Sequence, residues 1–91
     1  MKKKMVVLNY KVIVEPDERV GTGELCYYAY CPKLDIADDG DTINDALANI
    51  KEAIELKLEF MADMGEEVPM ERDDVMFTSV SIPTSREFNF V

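Results

Sequence analysis

A chain of 91 residues can form one domain with one modest hydrophobic core. Its 47% hydrophobic and 32% charged residues exclude an intrinsically disordered chain. The net charge is −9, with 10 basic against 19 acidic side chains, so the protein has little with which to neutralise phosphate, and we expect no direct binding to DNA or RNA. The acidity favours a basic protein partner, unless it serves solubility alone.

The N-terminus carries three lysines followed by a short apolar run. Residues 5–8 are too few for the apolar segment of a signal peptide and far too few to span a bilayer. We therefore expect a cytoplasmic protein that does not bind membranes.

Two alternating segments predict a β-hairpin. Residues 5–15 are rich in β-branched side chains and predict the first strand, and residues 25–31 predict the returning strand. Pro32 cannot donate to a strand ladder and ends the second strand. Residues 34–37 leave room for a short third strand.

Alternation gives the second strand two faces. One face carries Tyr27, Ala29 and Cys31, and the other carries Cys26, Tyr28 and Tyr30. Two cysteines on opposite faces cannot easily bridge each other, which predicts two reduced thiols. We expect Ala29 to lie beneath a helix, where a small side chain allows close packing.

One long amphipathic helix follows these strands. Thr42 predicts the N-cap, and Asp45 stands where a carboxylate completes a capping box. Gly65 predicts the end of the helix, with Pro69 blocking continuation. The apolar positions recur with helical periodicity: Ile43, Ala46, Leu47, Ile50, Ala53, Ile54, Leu58, Met61 and Met64.

The C-terminal third predicts one more strand. Residues 74–82 alternate until Pro83, and residues 84–91 predict a tail or an added strand that pairs with a second chain. The predicted fold is therefore α+β, with the order β-β-β-α-β. It is an antiparallel sheet with one long helix packed on a face. A single domain spans residues 1–91, with its core at about 4–83.

The order of these motifs resembles that of the HicB antitoxin domains. The matching positions are Tyr27, Ala29 and Pro32, then the turn Gly40-Asp41-Thr42, then Ala46, Leu47, Asn49 and Ala53 in the helix. The likeness covers most of the chain, in a short form without a C-terminal DNA-binding domain. It implies a degraded RNase H-like fold and an antitoxin that covers a small basic HicA-type toxin. Toxins of that type cleave mRNA with a catalytic histidine.

No set of residues predicts catalysis or a bound cofactor. Histidine, the commonest general base, is absent. Asp35 and Asp39 match two positions of an EF-hand loop, but Ala37 and Ala46 stand at the third and twelfth positions, where ligands belong. We expect a protein that is not an enzyme, with no catalytic residue, no metal site and no cofactor.

Five residues are candidates for binding a protein partner: Asp35, Asp38, Asp39, Tyr28 and Tyr30. We expect Asp38 and Asp39 in a turn within an acidic segment that no basic residue compensates. Tyr28 and Tyr30, together with Phe88 and Phe90, are also candidates for an interface in a homodimer or a dimer of dimers. Two functions remain open: an antitoxin, or an orphan HicB-like domain that self-associates and has no toxin.

Overall fold

The structure, a computed structural model, describes residues 5–91. It contains the strands β1 (Ile13–Glu18), β2 (Leu25–Cys31) and β3 (Ile36–Gly40), followed by the helix α1 (Ile43–Asp63). The strands form an antiparallel sheet in the order β1-β2-β3, and α1 packs on one face of it. The predicted α+β class, with one long helix on an antiparallel sheet, is confirmed.

The first strand begins later than the alternation predicts. The sequence predicts a strand over residues 5–15, whereas β1 runs from Ile13 to Glu18. The register explains the difference, because Ile13 pairs with Tyr30 and β2 ends one residue later. Further back, residue 11 would face Pro32, which has no N–H to donate. Residues 5–12 therefore have the composition of a strand but no ladder to join.

The third strand is displaced towards the helix. The prediction was residues 34–37, whereas β3 is Ile36–Gly40. The chain turns through residues 32–35, and the turn ends at Asp35 with a φ of 53°. Aspartate tolerates this left-handed conformation better than most residues do. The predicted acidic turn at Asp38 and Asp39 is therefore wrong, since both residues lie within β3.

The helix has the predicted ends. The Thr42 hydroxyl accepts a hydrogen bond from the Asp45 amide at 3.0 Å, which satisfies one free N–H of the first turn. At the other end, Gly65 has a φ of 68°, and the Glu66 amide donates to the Met61 carbonyl at 2.9 Å. With the bond from Gly65 to the Ala62 carbonyl, this is a Schellman motif.

The core lies where α1 crosses the sheet. Ala29 and Ala46 are both 0% exposed, and Ile50 and Cys31 complete the contact. Ala29 therefore lies beneath the helix, as predicted. Two facing alanines let the helix approach the sheet closely, which makes this contact intolerant of larger side chains.

Both cysteines are free and buried. The prediction of two unbridged thiols is confirmed, and each thiol lies on its own face of β2 because an odd spacing separates them.

The segment after the helix departs from the prediction. Residues 74–82 form no strand in the structure, so the predicted fourth strand is wrong for the described chain. The chain after the helix contacts the segment that precedes β1. The Tyr10 hydroxyl donates to the Pro69 carbonyl at 2.7 Å, and the Lys11 ammonium lies 5.2 Å from the centre of the Phe77 ring. Apolar and polar side chains alternate in residues 74–82, but no strand of the described chain lies where it could form hydrogen bonds with this segment.

Candidate protein-binding face

The sheet has one face covered by α1 and one face without a helix, here called the open face. A row of three residues crosses the open face: Glu15 on β1 pairs with Tyr28 on β2, which pairs with Asp39 on β3. All three side chains are exposed. Cross-strand neighbours in such a row lie about 4.5–5.5 Å apart at Cβ. One phenol ring therefore stands between two carboxylates.

A second row lies beside the first. Tyr30 pairs with Ile13 on one side and Ala37 on the other. The Tyr30 hydroxyl donates to an Asp35 carboxylate oxygen at 2.8 Å. This hydrogen bond is the main reason that the pKa of Tyr30 is raised above 10.0, and burial of the hydroxyl adds to it. The bond also ties the turn before β3 to the open face.

Arg19 closes one end of the open face. Its guanidinium donates to Asp39 at 3.1 Å and to Asp41 at 2.7 Å. The hydrogen bond to Asp41 is the main cause of the raised pKa of Arg19. The expectation that no basic residue compensates the acidic segment is therefore wrong for these two aspartates. The charge pattern along the sequence could not show it, because Arg19 lies 20 residues before Asp39.

Asp38 lies on the other side of the sheet from Asp39. It pairs with Ala29 on β2, whose side chain faces α1, and Asp38 is half-buried. The carbonyl of Asp39 accepts a hydrogen bond from the Asn49 side chain at 2.8 Å, which fastens α1 to the edge strand. Asp38 and Asp39 are therefore not equivalent surface charges.

The structure brings together four of the five candidate partner-binding residues. Tyr28, Tyr30 and Asp39 share the open face, and Asp35 borders it through its bond to Tyr30. Glu15 was not among the predicted candidates. The alternation of β1 does indicate it, because Glu15 is two residues from Ile13 and so lies on the same face of the strand.

The aromatic side chains of the C-terminal segment form a separate pair. The rings of Phe88 and Phe90 meet edge to face, with centroids 6.3 Å apart, and both side chains are exposed. Within residues 5–91 neither ring forms an aromatic pair with Tyr28 or Tyr30. The two halves of the predicted oligomer interface therefore do not stack on each other within one chain.

The described residues offer neither a metal site nor a membrane-spanning helix. Across residues 5–91, no group of three or more histidine, cysteine or acidic side chains could hold a metal ion. Over the same residues, no helix combines the length and the apolar character that crossing a bilayer requires.

Comparison with known proteins places the chain in a family. UPF0150 protein ssr1765 of Synechocystis is 35% identical over 77 residues, which are 84% of this chain and 89% of that relative. The chain belongs to the UPF0150 family. No protein-family model matches it, and no solved structure matches it significantly.

Proposed function

We propose that the protein is a HicB-like antitoxin whose open face binds and masks a small, basic, HicA-type toxin that cleaves mRNA. The observation that carries this proposal is the row formed by Glu15, Tyr28 and Asp39, in which a phenol ring stands between two exposed carboxylates. The resemblance in motif order from Tyr27 to Ala53 supports the same function. We also propose that the protein acts in the cytoplasm, where such a toxin meets its substrate.

The chemistry of this row selects a cationic protein surface. Carboxylates accept charge-assisted hydrogen bonds from arginine and lysine, often two at once from a guanidinium. Asp39 already accepts such a bond from Arg19, so Glu15 is the carboxylate of the row that makes no ion pair with a described residue. A tyrosine face attracts the same cations through its π system. The same carboxylates would repel the phosphate groups of RNA. The open face would therefore favour the toxin over the RNA that the toxin cleaves.

The charge of the whole protein supports rapid capture. A net charge of −9 attracts a basic partner over distances comparable to the Debye length, about 8 Å at physiological salt. Steering of this kind raises the association rate more than it strengthens the final complex. Inhibition would then be steric and electrostatic, with no bond made or broken by this chain.

Co-expression with the product of the neighbouring reading frame tests the function. If that product is a small basic protein that arrests growth, we expect this chain to relieve the arrest and to co-purify with it. A neighbouring toxin that this chain neither binds nor relieves would overturn the proposal.

A matched pair of charge reversals locates the binding surface. Glu15→Lys changes the open face, and Glu52→Lys makes the same change on α1; both side chains are exposed, and neither forms an ion pair with a described residue. We expect Glu15→Lys to slow association about tenfold, with a larger effect at low salt, and Glu52→Lys to have much less effect. Equal effects would mean that only net charge matters and that the open face is not the binding surface.

The alternative function is an orphan HicB-like domain that self-associates and has no toxin partner. The exposed apolar side chains outside the core favour it, among them Val6, Val80 and Phe90. The two functions differ in one measurement, because an orphan domain forms its assembly without any second protein and relieves no growth arrest.

A further inference from the structure

Two segments lie outside the helix and sheet and carry much of the exposed apolar surface. We call residues 5–12 the N-terminal arm and residues 74–91 the C-terminal arm. Met5 and Val7 on the first arm are 90% and 85% exposed, and Val80 and Phe90 on the second are 80% and 88% exposed. Exposed apolar side chains concentrated on two short segments are typical of an interaction site.

The size of the chain shows how much surface is left uncovered. The accessible surface is 8314 Å², whereas a compact folded protein of this mass has about 5,400 Å². The radius of gyration is 17.9 Å, against about 12 Å for a compact domain of this length. The excess of about 2,900 Å² per chain exceeds the ~800 Å² per partner that a standard stable interface buries.

A groove between the N-terminal arm and α1 offers a place for an apolar segment. Its volume is about 860 Å³, and its apolar lining includes Val6, Leu8, Leu47, Ile54 and Leu58. No residue after Leu58 lines the groove, so the chain's own C-terminal arm does not occupy it. One wall of the groove is formed by the apolar side chains of α1 that the sheet does not cover.

The charge distribution indicates which segments of two copies can come into contact. A chain of net charge −9 repels its own copy, so contact must use surfaces of low charge. From residue 74 to 91 the ionisable side chains are Asp74, which is already paired with Arg72, and Arg86 and Glu87, which cancel. In the N-terminal arm the charged side chain is Lys11, which is already paired with Glu71. Both arms are therefore locally neutral.

The C-terminal arm is long enough to reach a neighbouring molecule. Phe77 is held against Lys11, and 14 residues follow it. Fully extended, they span up to about 46 Å, which exceeds the 38 Å intermediate dimension of the chain. Beyond Phe77 the arm alternates in residues 78–82 and belongs to no strand, so this part can add a strand to the N-terminal arm of another copy.

We propose that two copies of this chain exchange their C-terminal arms. The part of each arm beyond Phe77 lies in the other copy's groove and pairs with that copy's N-terminal arm as a strand, while Phe77 stays against Lys11 of its own chain. A two-fold axis makes the exchange reciprocal, so both grooves are filled and no arm is left open. The proposal does not depend on the antitoxin function, since the groove is lined by the N-terminal arm and α1 and not by the open face.

Sedimentation equilibrium on a matched pair of valine substitutions tests the exchange. We expect the wild-type chain to have twice its 10.4 kDa monomer mass. Val80→Asp should weaken the dimer ~10-fold or more, because it places a charge in an apolar contact. Val20→Asp adds the same charge at the tip of the β1–β2 turn, where Val20 is fully exposed, and should leave the dimer intact.

Circular dichroism on both variants checks that α1 persists, so that a change of mass is not a loss of fold. A wild-type chain that is monomeric at high concentration would overturn the proposal. So would a dimer that Val80→Asp does not weaken.

A mixed cross-link distinguishes exchange from filling of the chain's own groove. Chains with Val80→Cys are mixed with chains carrying Leu47→Cys and oxidised mildly; the native cysteines are buried and contribute little background. Exchange predicts a disulfide between the two chains, whereas Val20→Cys mixed with Leu47→Cys should give none. A bridge that forms only when Val80→Cys and Leu47→Cys share one chain would overturn the proposal.

Discussion

Gly40 shows how a single residue sets the distance between the sheet and the helix. A Cβ atom at this position would lie 2.6 Å from the Asp45 carbonyl carbon and closer still to the Ala46 amide nitrogen. These are backbone atoms of the first helical turn, so they cannot rotate away. The glycine of the Gly40-Asp41-Thr42 turn is therefore required by space, the threonine by capping and the aspartate by its bond to Arg19.

We expect Gly40→Ala to lower the free energy of unfolding by about 2 kcal/mol, since the helix start must shift away from β3. Chemical denaturation monitored by circular dichroism measures this change. Gly23→Ala is the control, because it meets open space but has a φ of 71° and should cost only about 1 kcal/mol of backbone strain. A Gly40→Ala variant as stable as wild type would show that the turn relaxes freely.

Tyr30 and Asp35 form a pair whose protonation can be followed. The carboxylate holds the phenolic proton in place, so the pKa of Tyr30 is raised above 10.0. A group whose pKa is higher in the folded protein stabilises the fold fully below its unfolded pKa. That contribution is lost as the pH rises through the folded value. The stabilising effect of this pair should therefore disappear as the pH rises through the alkaline range above pH 10.0.

Asp35→Asn should lower the pKa of Tyr30, because the amide still accepts the hydrogen bond but no longer carries the charge. Asparagine also tolerates the positive φ of this position. Tyrosinate absorbance during a pH titration gives the value, and Tyr30→Phe identifies which transition belongs to Tyr30. An unchanged titration in Asp35→Asn would show that the bond contributes nothing in solution.

At the scale of the elements, the helix–sheet contact depends on two facing alanines. Ala29→Leu should cost about 1–3 kcal/mol in the free energy of unfolding, because the larger side chain overpacks the contact with Ala46. Tyr28→Leu changes the open face, where the side chain is 40% exposed, and should be much milder. Thermal melts of both variants measure the difference, and the opposite ranking would mean that the two faces of β2 are assigned the wrong way round.

The elements that local chemistry specifies are the ones that the sequence predicts well. Helix α1 has both ends encoded, by a capping threonine and by a glycine at a left-handed position, and β2 is delimited by Pro32. The same holds for the face occupied by Ala29, which follows from alternation alone. Each of these signals lies within a few residues of the feature that it determines.

The elements that depend on a partner strand are the ones that the sequence predicts poorly. Residues 5–12 and 74–82 alternate like strands, yet neither has a ladder to join in the structure. Alternation indicates that the side chains of a segment suit a sheet. It does not indicate whether a neighbouring strand is available to pair with that segment. The bond from Arg19 to Asp39 escaped prediction for a related reason, because only the hairpin brings the two residues together.

At the scale of the whole molecule, we expect the net charge of −9 to oppose binding to nucleic acid. We expect no shift of any DNA or RNA, duplex or single-stranded, at micromolar protein in about 150 mM salt. Electrophoretic mobility shift and fluorescence anisotropy measure this directly. Specific binding under these conditions would show that a basic surface forms in the assembled protein.

The two thiols lie on opposite faces of β2, so the rate at which each one is modified reports how well its own face is covered. Cys31 is buried under the helix and Cys26 is 4% exposed on the other side of β2, so each becomes reactive only when the packing on its own side opens. Labelling of Cys31 would report undocking of the helix, and labelling of Cys26 would report exposure from the open face. A partner that binds the open face should therefore slow the modification of Cys26 more than that of Cys31, so that one experiment on the unaltered chain reads out which side of the sheet is covered.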